Sequence, residues 1–143
     1  MVIWNMMISD KDIKVKNYMF RLLRDLDKKG FVLYYYEAYS TSSCYIKLDF
    51  GLSNSIRIAD HKGIDKYQYR FNLMIGLRKS YVKDGRNYYC EEDYDKMISD
   101  IVAFREEQLD KYGFRYYDYM VKNKNDAENR SGFWKKSRSY NDN

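Results

Sequence analysis

The sequence predicts an α+β domain: an N-terminal helix, an antiparallel meander of about four strands, and a C-terminal helix packed on the sheet. Three observations carry this. Apolar residues recur with helical spacing over 10–29, alternate with period two across much of 31–75, and return to helical spacing after 94. The stretches between the alternating runs are short and polar, which favours antiparallel neighbours. The chain has 143 residues, enough for one core and too few for two domains with a linker.

The first helix spans about 10–29. Ser9 stands as its cap, with Asp12 at capping-box distance, and Asp10 and Asp12 suit the positive end of the helix dipole. Ile13, Phe20, Leu23 and Leu26 form its apolar face, widened by Met19 and Leu22. Lys28 and Lys29 suit the last turn, and Gly30 ends the helix. Phe31 to Ser40 (FVLYYYEAYS) is rich in aromatic residues that favour strands. In Cys44 to Phe50, Tyr45, Lys47 and Asp49 alternate with Ile46, Leu48 and Phe50, the pattern of a half-buried strand. Residues 51–54 turn. Ser55 to Asp60 alternates again, with Ile56 and Ile58 inward and Arg57 outward. A polar loop over 61–66 leads to a fourth strand, Tyr67 to Ile75. Ser80 to Tyr89 reads as a polar loop or short hairpin. Glu91, Glu92, Asp93 and Asp95 then begin a second helix with Met97, Ile98, Ile101, Val102, Phe104 and Leu109 as its apolar face and Gly113 as its end. Residues 114–121 fit either a strand or a helix.

From Lys122 the apolar period dissolves. Six bases stand against three acids over 122–143, which reads as a mobile basic tail on a 1–121 domain. Phe133 and Trp134 interrupt it, either docking on the domain's own core or anchoring a partner.

Composition narrows the function classes. The chain carries 17 Tyr, no Pro and a net charge of +5. An AT-rich codon bias explains this, and so does an aromatic, basic surface for nucleic acid; the two are compatible. Cys44 and Cys90 read as free thiols in a reducing compartment. No apolar run approaches the roughly 18 residues of a membrane span. Met1 to Asp10 lacks signal-peptide features, so a cytoplasmic protein is expected.

Catalytic constellations are scarce. His61 is the one histidine, no CxxC or phosphate-binding glycine loop is present, and no metal site or cofactor is expected. Cys44 opens one strand and His61 closes the next, so a register can bring them together; Cys44 also fits as a half-buried strand residue. His61 can instead serve as the base of a metal-dependent nuclease with Asp60 and Asp65, but no second carboxylate cluster completes such a site. The stronger feature is charge. Between Lys47 and Cys90 there are nine bases and four acids. Arg57 and Arg70 sit at outward positions of neighbouring strands. With Lys62, Lys66, Arg78 and Lys79 they can face phosphate or an acidic protein surface. Phe133, Trp134, Lys135 and Lys136 complete the candidate partner-binding set.

The segment Ser55-Ile56-Arg57-Ile58-Ala59-Asp60-His61, followed by Asp65-Lys66-Tyr67, resembles a strand–loop pattern in a family of small phage-encoded anti-CRISPR proteins that inhibit Cas9. The resemblance covers roughly 45–75 and the helix after it. It departs at Ala59, where Ser is more usual, and in placing the basic arm at the C-terminus. It implies a small antiparallel sheet with helices. It also implies a non-enzymatic protein that binds a CRISPR effector or its guide-RNA complex in the bacterial cytoplasm. The alternative class is a small nucleic-acid-binding accessory protein of a phage or plasmid.

Overall fold

The computed structural model describes residues 10–38, 43–59, 71–74, 81–83, 86–130 and 132–141. The α+β class and its expected order hold. Helix α1 (Asp10–Asp27) precedes strands β1 (Leu33–Glu37), β2 (Cys44–Leu48), β3 (Ser55–Ala59), β4 (Phe71–Met74), β5 (Tyr81–Lys83) and β6 (Arg86–Cys90). Helices α2 (Tyr94–Tyr112), α3 (Arg115–Glu128) and α4 (Phe133–Lys136) follow, then a two-residue strand β7 (Arg138–Ser139).

All seven strands form one sheet, ordered β5-β6-β4-β3-β2-β1-β7. Half of it, β7-β1-β2-β3, is a four-stranded antiparallel block. Its fourth member comes from the C-terminus rather than from the strand after β3. β4 instead pairs parallel with β3 and with β6. Alternation of apolar residues fixes which face a strand buries, not the direction in which it pairs. The connection matters too. β4 begins at Phe71, so eleven residues (60–70) separate it from β3, close to the dozen or so that a parallel crossover needs. Within the polar stretch at 80–89, the described residues of β5 and β6 pair antiparallel.

Register sorts the side chains into two faces. Leu33, Ile46, Leu48, Ile56, Ile58, Phe71, Leu73 and Tyr89 lie on the inner face and are all buried. α1 covers this face with Val15, Met19, Leu22, Leu23 and Leu26, and α2 with Tyr94, Met97 and Ile101. Ile13 and Phe20, expected in the core, are each 44% exposed, because the buried stripe runs through Val15 instead. Polar bonds close the seam between the helices. The Tyr94 hydroxyl donates to Asp25 at 2.7 Å, the Arg21 guanidinium stacks on the Tyr94 ring at 3.8 Å, and Lys14 pairs with Glu91 at 2.8 Å. Gly30, at φ +84°, turns the chain from α1 into the sheet.

The β2–β3 corner is strained. Asp49, Phe50 and Gly51 follow one another with positive φ of 52°, 56° and 91°. For an L-residue this costs roughly 1–2 kcal/mol each. Asp49 holds the corner from inside. It is fully buried, accepts a hydrogen bond from the Val32 amide at 2.9 Å and from the Ser53 hydroxyl at 3.2 Å, and lies 2.8 Å from Arg105 Nε. The Tyr116 hydroxyl also donates to Asp49 and lies 2.7 Å from Ser53 Oγ. Arg105 comes from α2 and Tyr116 from α3, so one carboxylate ties both helices to the sheet.

The segment expected as a separate mobile tail is part of the fold over its described residues. Residues 122–128 continue α3, and β7 pairs with Tyr34 and Tyr35 of β1. Asn141 accepts a hydrogen bond from the Leu33 amide at 2.6 Å. It donates to Asp27 Oδ1 at 2.6 Å and to the Phe31 carbonyl at 3.1 Å. No apolar period signals this docking, because aromatic rings and one amide side chain supply it.

Candidate partner-binding site

On the outer sheet face, register places Tyr34 opposite Lys47, Tyr36 opposite Tyr45, and Tyr45 opposite Arg57. Tyr36 and Tyr45 stack at 6.1 Å with an interplanar angle of 23°. The Arg57 guanidinium lies 5.7 Å from the Tyr45 ring centre and donates to Ser43 Oγ at 2.9 Å. This is the outward, aromatic and basic face that the alternation of β2 and β3 predicts.

Part of that face is covered from within the chain. Gly132, at φ +72°, turns the backbone into α4, which lays Phe133 and Trp134 across the sheet. Trp134 stacks on Phe50 at 5.9 Å and meets Tyr34 edge-on at 5.6 Å; Phe133 meets Tyr36 edge-on at 6.1 Å. Lys47 Nζ sits 5.4 Å from both the Phe133 and Trp134 rings. Burial, and then the Arg130 charge, lower the Lys47 pKa below the ordinary lysine value. Phe133 and Trp134 therefore anchor the chain to itself.

The same docking leaves an open cleft beside α1. It has a volume of about 460 Å³ and is lined by Phe20, Tyr35, Tyr36, Glu37, Lys136 and Arg138. Phe20 and Tyr35 meet edge-on at 5.8 Å and form an aromatic wall. Lys136 and Arg138 are exposed and make no ion pair among the described residues. Glu37 is held by Lys16 at 3.5 Å. Ring faces take a planar group by stacking, and two cations beside them take phosphate or carboxylate oxygens. The volume falls within the roughly 300–1,000 Å³ of small-ligand sites.

The structure thus separates the sequence-derived candidates. Lys136 lines the cleft, Lys135 is exposed on α4, and Arg57 stays with Tyr45 on the outer face. Arg70, Lys62, Lys66, Arg78 and Lys79 lie outside the described residues, as do His61, Asp60 and Asp65. Cys44 and Cys90 are both buried. Among the described residues no three His, Cys, Asp or Glu side chains gather as a metal site, and no helix is long and apolar enough to cross a membrane. Sequence reasoning missed Phe20, Tyr35, Glu37 and Arg138 as cleft residues. Phe20 reads as helix core, and Arg138 is one charge among several in a polar stretch; only the chain's return to β1 brings them together. The chain matches no family model, no curated protein and no solved structure.

Proposed function

We propose that this protein is a non-enzymatic inhibitor, carried by a phage or other mobile element, that binds a CRISPR effector nuclease or its guide-RNA complex. It acts in the bacterial cytoplasm by blocking nucleic-acid binding or cleavage. The observation that carries the reading is the cleft, where edge-on tyrosine and phenylalanine rings meet Lys136 and Arg138, cations that no ion pair among the described residues engages. Such a surface grips phosphate-bearing or acidic groups by charge and ring contact. The resemblance of 55–67 to Cas9 inhibitors points the binding toward an effector complex.

The same aromatic–cationic chemistry favours one second reading, a nucleic-acid-binding accessory protein. One experiment separates them. DNA cleavage by reconstituted Cas9–guide RNA is followed against increasing inhibitor, and binding to the complex and to free RNA and DNA is titrated at several salt concentrations. The inhibitor reading expects lost cleavage and a strong preference for the complex. Tight, steeply salt-dependent binding to free nucleic acid with undiminished cleavage selects the accessory protein. Undiminished cleavage with no binding to either rejects both.

A further inference from the structure

The outward side of α3 carries an apolar stripe that no described element covers. Phe114 is 91% exposed, Tyr117 48% and Val121 58%. Spacings of three and four place these residues on one side of the helix. The opposite side, Tyr116, Met120, Asn123 and Ala127, faces the protein, with Tyr116 and Ala127 buried. Exposed apolar residues scattered singly are ordinary; three in register on one helix mark a contact surface.

The charges beside the stripe identify its occupant. Arg115 and Asp118 lie on the N-terminal side of Val121, and Lys122, Lys124, Asp126 and Glu128 on its C-terminal side, all exposed. No ion pair among the described residues uses any of them. A second α3 laid antiparallel, with Val121 against Val121, inverts this order. Asp118 then comes to the level of Lys122 and Lys124 of the other copy, and Arg115 to the level of Asp126 and Glu128. Val121 meets Val121 at the centre, Tyr117 lies at the level of Asn125, and Phe114 lies at the level of Glu128. A parallel arrangement brings each charge beside its own kind. The antiparallel one also opposes the two helix dipoles.

We propose that this face of α3 is the interface of a homodimer, two copies packed antiparallel about a two-fold axis at Val121. In a two-fold interface each contact is made twice, and the residue on the axis meets itself. Val121→Cys therefore offers a direct test. The introduced thiol faces its own copy, while the wild-type cysteines are buried.

Sedimentation equilibrium of the full chain over a wide concentration range gives the oligomeric state. The wild type is expected to be a dimer. Val121→Cys is expected to form a disulfide-linked dimer under mild oxidation, where the wild type forms none. Asp118→Lys should raise the dissociation constant at least ~10-fold, since it sets like charges together. Combining Asp118→Lys with Lys122→Asp and Lys124→Asp should restore dimerisation. All three charged sites are exposed, so circular dichroism should match wild type in every variant. A wild-type monomer at high micromolar concentration overturns the proposal. So does a wild-type dimer whose Val121→Cys variant fails to cross-link, which places the interface elsewhere. Loss of dimer in the single charge variant without recovery in the triple variant refutes the antiparallel arrangement.

Discussion

Arg105→Met isolates the buried ion pair at the β2–β3 corner. Asp49 is 0% exposed and the Arg105 side chain 13%. Methionine keeps an unbranched stem where the guanidinium lies 4.5 Å from the Phe31 ring, so little packing is lost. The substitution leaves the carboxylate in the interior without its cation. Removing one partner of a buried pair costs about 3–5 kcal/mol. The Val32 amide and the Ser53 and Tyr116 hydroxyls still solvate Asp49, which holds the cost toward the lower end. Arg105 also donates to the Lys29 and Gly30 carbonyls at 3.3 and 3.2 Å; losing these exposed bonds adds about 0.5–1 kcal/mol. A total near ~4 kcal/mol corresponds to a fall in Tm of roughly 10–15 °C for a chain of this length. Urea denaturation followed by circular dichroism measures it. Lys96→Met, which breaks the exposed Lys96–Asp100 pair, is the control and should cost no more than ~1 kcal/mol. Adding Asp49→Asn to Arg105→Met should recover part of the loss, because it removes the stranded charge. A cost for Arg105→Met no larger than the control, or a double variant no more stable than the single one, would refute the argument.

Tyr89, Tyr94 and Tyr116 have pKa values raised by burial and then by hydrogen bonds to Asp100, Asp25 and Asp49. Their stabilisation is full below the ordinary phenol pKa of about 10 and is lost as pH rises beyond it. In an ultraviolet alkaline titration they should ionise only with unfolding; full ionisation of the tyrosines while the circular dichroism stays native would contradict this. At the acid end, burial raises the Asp25 and Asp100 carboxyls, but hydrogen bonds from Tyr94 and Tyr89 and the charges of Arg24, Arg21 and Lys96 outweigh it and leave both lowered. Their contribution is present above the ordinary aspartate pKa near ~3.9 and is lost as pH falls toward the lowered values, so Asp25→Asn should flatten stability below about pH 4. An unchanged acid limb refutes it. Truncation after Val121 removes Trp134, β7 and the Asn141 bonds, and should lower Tm well beyond the effect of an exposed substitution; an unchanged melting curve would return 122–143 to the status of a separable tail. Lys136→Glu with Arg138→Glu should weaken partner binding at least ~10-fold at fixed salt with the fold intact, and unchanged affinity would move the interface out of the cleft.

What was legible in the sequence is what a period can carry. The alternation in 44–59 gives the inner face of β2 and β3 residue by residue, and the helical spacing after 94 gives Met97 and Ile101 as core. Periodicity fails where two stripes compete. Ile13 and Phe20 share helical spacing with Leu23, yet the buried stripe passes through Val15, hidden between Lys14 and Lys16. Phe20 is thereby freed to wall the cleft. Periodicity also says nothing of partners far apart in the chain. Asp49 falls on the outward side by alternation, but the strand ends before it and the positive φ turns it inward toward Arg105, 56 residues away.

The strained corner explains why the C-terminal segment belongs to the fold and why its cations are placed. Phe50 has φ +56°, a conformation disfavoured for a bulky residue, and its ring lies 5.2 Å from Tyr34 and 5.9 Å from Trp134. Asn123 of α3 also donates to the Phe50 carbonyl at 3.5 Å. Contacts outside the turn thus over-determine its conformation, the condition under which such strain persists. The clamp works in both directions. Trp134 is pinned on Phe50 at one end of the segment, and Asn141 is tied to Asp27, Phe31 and Leu33 at the other. Lys136 and Arg138 lie between these anchors, with β7 holding the backbone against Tyr35. Two long side chains that would sample many directions on a free tail are instead carried on a fixed backbone beside the aromatic wall. A partner therefore meets charges whose backbone entropy was already lost in folding, which lowers the ordering cost of binding.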